Sequence, residues 1–200
     1  MLGPLIMRRH HRGFTLVELL IVISIMAVLA MLAAPSIRDM ILMQRLRGIN
    51  AQILTDMQFA RAEAANRARY ARVSVGSDAN QTCYVIYLAP TSGVRCNCTL
   101  GAGAACAANV AGLTELRTMS VERSSGVTLV FPAGQDAHFG FDYVNGSLYS
   151  LPSDLAPAPL VSVQIEARID DDRRLRNTVS RTGRTSVCSP NAARMGGTAC

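Results

Sequence analysis

From residue 14 to residue 34 the chain is apolar at nearly every position, and Glu18 is the only ionisable side chain in the stretch. About 20 such residues span a bilayer core as a helix. Beyond it the pattern becomes amphipathic. Leu42, Leu46, Ile49, Ile53, Met57, Ala60 and Ala64 recur at spacings of three and four, the period of one helix face. Arg38, Asp39, Arg45, Arg47, Gln52, Asp56, Arg61 and Glu63 fall on the other side, which predicts a solvated face. Read as one helix from residue 14 to about Arg72, it would be on the order of 90 Å long at ~1.5 Å per residue. No globular core of this size could cover it, so half of it needs a bilayer or neighbouring subunits. Pro35 sits inside and predicts a kink, because it removes a backbone hydrogen bond and crowds the carbonyl of Met31. Gly48 is a second weak point.

After Arg72 the period shortens to that of strands. Residues 72–75, 83–88, 115–122, 127–131, 139–144, 147–151, 160–169 and 173–180 are strand candidates. Asn145-Gly146 is the strongest hairpin signal, read as a two-residue turn, and Asp170-Asp171-Asp172 reads as the turn of another hairpin. Residues 91–112, rich in Ala, Gly and Cys, predict a long loop pinned by cysteines. The fold class is therefore α+β: a long N-terminal helix whose second half packs its apolar stripe on an antiparallel β-sheet head. The divisions are residues 1–13, a basic leader; 14–34, the membrane half of the helix; 35–72, its amphipathic half; and 73–200, a β-rich head with a cysteine-containing tail.

Arg8, Arg9, His10, His11 and Arg12 precede the apolar run. The positive-inside rule keeps this end in the cytoplasm and sends the rest across the membrane. A secretory signal peptide would share the basic start and apolar core, but its small-residue cleavage site should follow the core. Here the candidate processing point, Gly13-Phe14, comes before it, so cleavage would leave the helix on the mature protein. A plain N-terminal anchor also fits the hydropathy. Glu18 is what an anchor does not explain, since a charge costs roughly 2.5–3.5 kcal/mol at the centre of a membrane helix and less near an interface.

Gly13-Phe14-Thr15-Leu16-Val17-Glu18 closely resembles the class III signal of type IV pilins and pseudopilins: a short basic leader, Gly, then Phe-Thr-Leu-[IV]-Glu. The resemblance implies a ladle-shaped pilin fold, cleavage between Gly13 and Phe14 by a prepilin peptidase, and N-methylation of the new Phe14 amine. It also implies that Glu18 neutralises the N-terminal ammonium of a neighbouring subunit during filament assembly, so that each charge removes the other's burial penalty. The implied partners are the peptidase, other pilins or pseudopilins in a helical filament, and an inner-membrane assembly platform. The implied location is the bacterial inner membrane, single-pass, with the head periplasmic, and then the pilus or pseudopilus. A proline at the place of Pro35 is common in pilins.

The chain has neither Lys nor Trp, and all 20 of its Lys+Arg residues are Arg. Losing residues 1–13 would remove Arg8, Arg9 and Arg12 and lower the formal charge from +6 to +3. That is a mild balance, and distribution matters more: after Asp172 there is no acid, while Arg173, Arg174, Arg176, Arg181, Arg184 and Arg194 follow. Cys83, Cys96, Cys98, Cys106, Cys188 and Cys200 all lie beyond the membrane segment, where an even count favours disulfides over metal or catalytic thiols. The connectivity is open. Cys188 with Cys200 is the preferred pair, because the intervening Ser-Pro and Gly-Gly let the tail close a short loop. Zinc binding around Cys96-x-Cys98 has the wrong spacing for a knuckle.

Three later segments resemble the GspH/FimT group of minor pilins and pseudopilins: residues 59–67 (Phe-Ala-Arg-Ala-Glu-Ala-Ala-Asn-Arg), Phe131-Pro132-Ala133-Gly134, and residues 179–188 with a Gly-Arg turn and a cysteine. They favour a minor pilin of the FimT/FimU kind, in the tip or priming complex of a type IV pilus. The alternative is an H-type pseudopilin of type II secretion. Some FimT-like proteins capture DNA through a Gly-Arg-x-Arg turn; here Gly183-Arg184-Thr185 matches, and Ser186 replaces the second Arg. DNA capture through Arg173, Arg174, Arg176, Arg181 and Arg184 is thus a third reading. An ordinary solvated or subunit-contacting surface is preferred, because alternate strand residues face opposite sides and no aromatic residues are interleaved for stacking. Asp170–Asp172 lacks the spaced ligands of a calcium loop and reads as a solvated turn. His138 is the only histidine beyond the leader and stands in no nucleophile motif. The expectation is a non-enzyme without metal or cofactor.

Overall fold

The computed structural model describes residues 14–90, 94–106, 110–131, 137–150 and 158–200; the side chains of residues 33–35 lie outside this set. Gly13, the Pro132–Gly134 turn and the kink expected at Pro35 therefore fall outside the described residues. The chain divides into two compact units, 1–41 and 42–200. One α-helix, α1 (Leu16–Arg67), contributes to both.

In the second unit, α1 is followed by ten strands among the described residues. A six-stranded antiparallel sheet has the order β3-β2-β1-β5-β6-β7, from β1 (Ala71–Ser77), β2 (Gln81–Leu88), β3 (Thr114–Glu122), β5 (His138–Phe141), β6 (Leu148–Ser150) and β7 (Ala158–Pro159). A four-stranded antiparallel sheet has the order β10-β9-β8-β4, from β4 (Thr128–Val130), β8 (Ser162–Arg168), β9 (Arg174–Ser180) and β10 (Thr185–Cys188). A one-turn helix, α2 (Ala192–Met195), precedes the C-terminus. The long helix with antiparallel sheets is the α+β, pilin-like architecture expected.

Both sheets and the second half of α1 share one core. Leu46, Ile53, Met57, Ala60 and Ala64 are fully buried there, among Tyr84, Ile86, Phe139, Phe141, Val163, Ile165 and Val179. Each large side chain so buried contributes about 1.5–3 kcal/mol. Leu42 and Ile49, in the first part of the predicted stripe, are only half-buried. Leu129 N–H donates to Thr82 Oγ1 at 3.0 Å, linking β4 of one sheet to β2 of the other. The other face of β2 is buried as well: Cys83, Val85 and Tyr87 lie under the loop that follows it, with Cys96, Cys98 and Ala105. Disulfides Cys83–Cys98 and Cys96–Cys106 fasten this loop, and Cys188–Cys200 closes the tail. With every cysteine so bonded, none is left to ligate zinc.

Four expectations need correction. Asp56, assigned to the solvated face, is 0 % exposed. It lies beside Ile53, Met57 and Ala60 on the buried side, and its charge is met from the sheet: Arg117 pairs with one carboxylate oxygen, Gln52 Nε2 donates to the same oxygen at 2.9 Å, and Tyr84 OH donates to the other at 2.7 Å. Burial first, and then the adjacent carboxylate, hold the Tyr84 phenol far above its ordinary pKa, so it remains a donor. Secondly, the helix stops at Arg67, five residues short of Arg72. Ala68 takes a left-handed φ of 49°, Arg69 N–H bonds to Ala64 O, and Ala68 N–H to Ala65 O. This is a Schellman cap built on alanine where glycine is usual. Thirdly, the β5–β6 turn is longer than Asn145-Gly146. The strand ends at Phe141, Asp142 N–H bonds to Ser147 O, and residues 143–146 form the loop, with Gly146 at φ 66° and its N–H on Asp142 O. Lastly, β7 has no counterpart in the sequence pattern.

Two stability changes follow. Arg117→Ala leaves the Asp56 carboxylate buried without a cation and costs about 3 kcal/mol. Tyr84→Phe removes one hydrogen bond and costs about 1 kcal/mol. Urea titration followed by the tyrosine signal, which arises wholly from residues 70–149, checks the order; equal losses would contradict the clamp. In the same assay Ala68→Gly stabilises by about 1 kcal/mol, by relieving the left-handed alanine.

Candidate assembly segment and cationic groove

At its start, α1 is capped by Thr15: Glu18 N–H donates to Thr15 Oγ1 at 3.2 Å. Glu18 thus stands at the third helical position of a Thr-x-x-Glu pattern, in the first turn, where the helix dipole favours a negative charge. Its carboxylate is exposed and has no ion-pair partner among the described residues. Around it the helix is apolar on every side. From Phe14 to Ile41 the large apolar side chains are exposed throughout, from 49 % at Val22 to 83 % at Phe14. Ser24 hides its polarity by donating from Oγ to Ile21 O at 2.8 Å. A helix hydrophobic all round requires lipid or protein around it. No single described helix is long and apolar enough to cross a membrane on its own; the stretches Leu16–Leu32 and Ser36–Arg67 meet the requirement together.

In the second unit, the C-terminal arginines separate into two groups. Arg176 donates from Nε to Glu166 Oε1 at 2.7 Å, and Arg174 approaches the other oxygen at 3.8 Å. Arg173 pairs with Asp170 at 2.7 Å, Arg168 with Asp171 at 3.5 Å, and Arg194 with Asp172 at 3.8 Å. The three aspartates form the β8–β9 turn, and each of them faces an arginine. Asp170 also accepts backbone N–H bonds from Asp172 and Arg173. Together, led by the Arg173 side chain, these hold its carboxyl below the ordinary pKa.

Arg181 and Arg184 lie instead at the β9–β10 turn. Arg184 faces a groove of about 670 Å³ between α1, this turn and the β5–β6 loop, lined also by Gln58, Arg61, Tyr143, Asn145 and Thr185. Sequence reasoning missed Arg61 and Tyr143 here. Arg61 read as a solvated helix residue, and Tyr143 lies 41 positions before Arg184; only the tertiary fold joins them. Tyr143 and Tyr70, each 37 % exposed, meet edge to face at 5.2 Å. Aromatic groups therefore do stand beside the basic turn. His138, meanwhile, binds Ser74: its Nδ1 lies 2.9 Å from Ser74 Oγ, which also contacts Tyr87 OH at 3.0 Å. Ser74 is buried within the sheet, where the three side chains tie β1, β2 and β5 together.

An apolar helix with a single acid in its first turn, leading into an antiparallel β head, is the architecture of a pilin-like protein. Residues 8–34 match the family described as the prokaryotic N-terminal methylation motif, which makes the chain type IV pilin-like and its N-terminal helix a membrane anchor. The motif implies processing by prepilin peptidase and assembly with other pilins. No curated protein and no solved structure matches the chain.

The Asp170–Arg173 contact sets a pH dependence. Because the folded pKa is depressed, its stabilisation is complete above the unfolded carboxylate value and is lost as pH falls through the folded one. The pair is solvent-screened, so Asp170→Asn costs only about 0.5 kcal/mol at neutral pH. The difference from wild type narrows in strong acid, once the pH falls below the ordinary Asp value of about 3.9 and on through the depressed folded one. Parallel urea titrations at neutral and strongly acid pH measure it.

Proposed function

We propose that the protein is a minor pilin of the GspH/FimT group, incorporated into the tip or priming complex of a type IV pilus. The observation that carries this reading is the exposed, all-round apolar helix of the first unit, with Glu18 unpaired in its first turn. Prepilin peptidase cuts between Gly13 and Phe14 and methylates the new Phe14 amine. The N-terminus is cytoplasmic and the head periplasmic until an inner-membrane platform moves the subunit into the filament. There Glu18 pairs with the Phe14 ammonium of an adjacent subunit, and neighbouring helices replace lipid around residues 14–41. The role is structural rather than catalytic. The cystine-closed C-terminus and Pro35 favour the pilus over the type II secretion pseudopilus.

A Glu18→Ala variant inserts into the membrane and is processed to the mature length, but it is absent from sheared filaments. Immunoblots of membrane and filament fractions read both outcomes. Normal incorporation of the variant would overturn the pairing role.

A further inference from the structure

The groove beside the β9–β10 turn carries two guanidinium groups and no carboxylate among its lining residues. Neither Arg61 nor Arg184 has a hydrogen-bond or ion-pair partner among the described residues. This contrasts with Arg67, Arg117, Arg168, Arg173, Arg174, Arg176 and Arg194, each of which meets an acid. Arg61 is also fixed in place. It projects from α1 against two glycines in left-handed conformations, Gly146 (φ 66°) and Gly183 (φ 74°), and a Cβ on either would collide with its side chain. Around the cations the walls are neutral and polar. Gln58 Nε2 donates to Thr185 Oγ1 at 3.2 Å, and Asn145 Oδ1 accepts from Ser147 N–H at 2.8 Å, which leaves the Asn145 amide N–H₂ for a ligand.

Asn145 belongs to a second hollow as well, of about 350 Å³, lined by Tyr70, Tyr149, Asp142 and Arg181. Both volumes fall in the range of small-ligand pockets, about 300–1,000 Å³. The two hollows have different chemistry. The first holds two unpaired cations, while the second holds an acceptor carboxylate, Asp142, and a further cation, Arg181, beside tyrosine rings. A sugar chain suits both hollows. Its hydroxyls donate to Asp142 and exchange hydrogen bonds with the amides, its apolar ring faces lie on tyrosine, and a carboxylate on one ring accepts from paired guanidinium groups.

We propose that these adjoining hollows bind a carboxylated sugar chain, with a uronate carboxylate held by Arg61 and Arg184 and the next ring's hydroxyls held by Asp142 and Asn145. The site lies wholly in residues 58–185, and Glu18 has no part in it.

Calorimetric titration of the full-length protein, in a non-ionic detergent without a sugar head group, tests the proposal. Tetragalacturonate binds saturably, and Arg184→Ala weakens it at least tenfold while leaving the melting temperature unchanged. Arg61→Gln, folded by the same criterion, weakens it similarly. Neutral maltotetraose and a tetraglutamate peptide bind at least tenfold more weakly than tetragalacturonate, because each offers only half of the recognition. The proposal is overturned if tetragalacturonate shows no binding at millimolar concentration, or if its binding is indifferent to Arg184→Ala. Equal binding of tetraglutamate would reduce the groove to a charge sink, and tighter binding of a single-stranded thymidine oligomer would assign it to another polymer; either result also overturns it.

Discussion

The second unit depends on one charge that a helix carries into its own core. Asp56 lies fully buried among the apolar residues that fix α1 to the sheets, and an isolated carboxylate there would be too costly to keep. Arg117 on β3, Tyr84 on β2 and Gln52 one turn back on α1 make it tolerable. Each of these partners has a direction as well as an affinity, so the helix is fixed in rotation and in height. Hydrophobic contacts alone would tolerate a slide by one turn; a carboxylate shared among three donors would not. Arg117 also lies over the Phe59 ring at 4.6 Å, so the same cation holds both the charge and the apolar edge of the helix. A second polar contact, Asn177 Nδ2 to Asn50 Oδ1 at 2.6 Å, fixes α1 against the smaller sheet in the same way.

With its second half so fixed, α1 serves two environments along one uninterrupted run of sequence. Residues 42–67 have a stripe and a protein core to bury it in. Residues 14–32 have no polar face beyond Glu18, and among the described residues nothing covers their large apolar side chains, so lipid or other protein must supply their surroundings. Glu18 is cheapest where it stands, in the first turn, close to an interface and at the positive end of the helix dipole. The acid of the assembly segment and the acid of the core obey the same rule. A carboxylate in apolar surroundings persists only with a partner: Asp56 has its partners within the second unit, and Glu18 has none among the described residues.

The larger sheet is buried on both faces at β2, which a 159-residue unit with one long helix could not achieve without help. The help is covalent. Two disulfides hold the loop after β2 down over Cys83, Val85 and Tyr87, and a closed loop loses less entropy on ordering. The arginines of the smaller sheet are then distributed by the turns at its two ends. The acidic β8–β9 turn and Glu166 engage those nearby, and the β9–β10 turn leaves Arg184 free to join Arg61 across a groove.

The sequence by itself determined whatever has a period or a fixed local pattern. The apolar run, the motif at residues 13–18, the stripe on α1 and most strand positions were legible because each is written in neighbouring residues. Tertiary structure decided the rest. Asp56 read as solvated because its periodic position is ambiguous and its partners lie 28 and 61 residues away. The helix stop at Ala68 was invisible because an alanine took the place of glycine under the pull of β1. Asn145-Gly146 signalled a turn, yet its length was set by Asp142 pairing with Ser147. Strand alternation already argued against one basic surface from the C-terminal arginines, and the placement of Glu166 and Asp170–Asp172 decided which of them are paired and which are free. Electrostatic partnership acts through space rather than along the chain, and that is where a linear reading runs out.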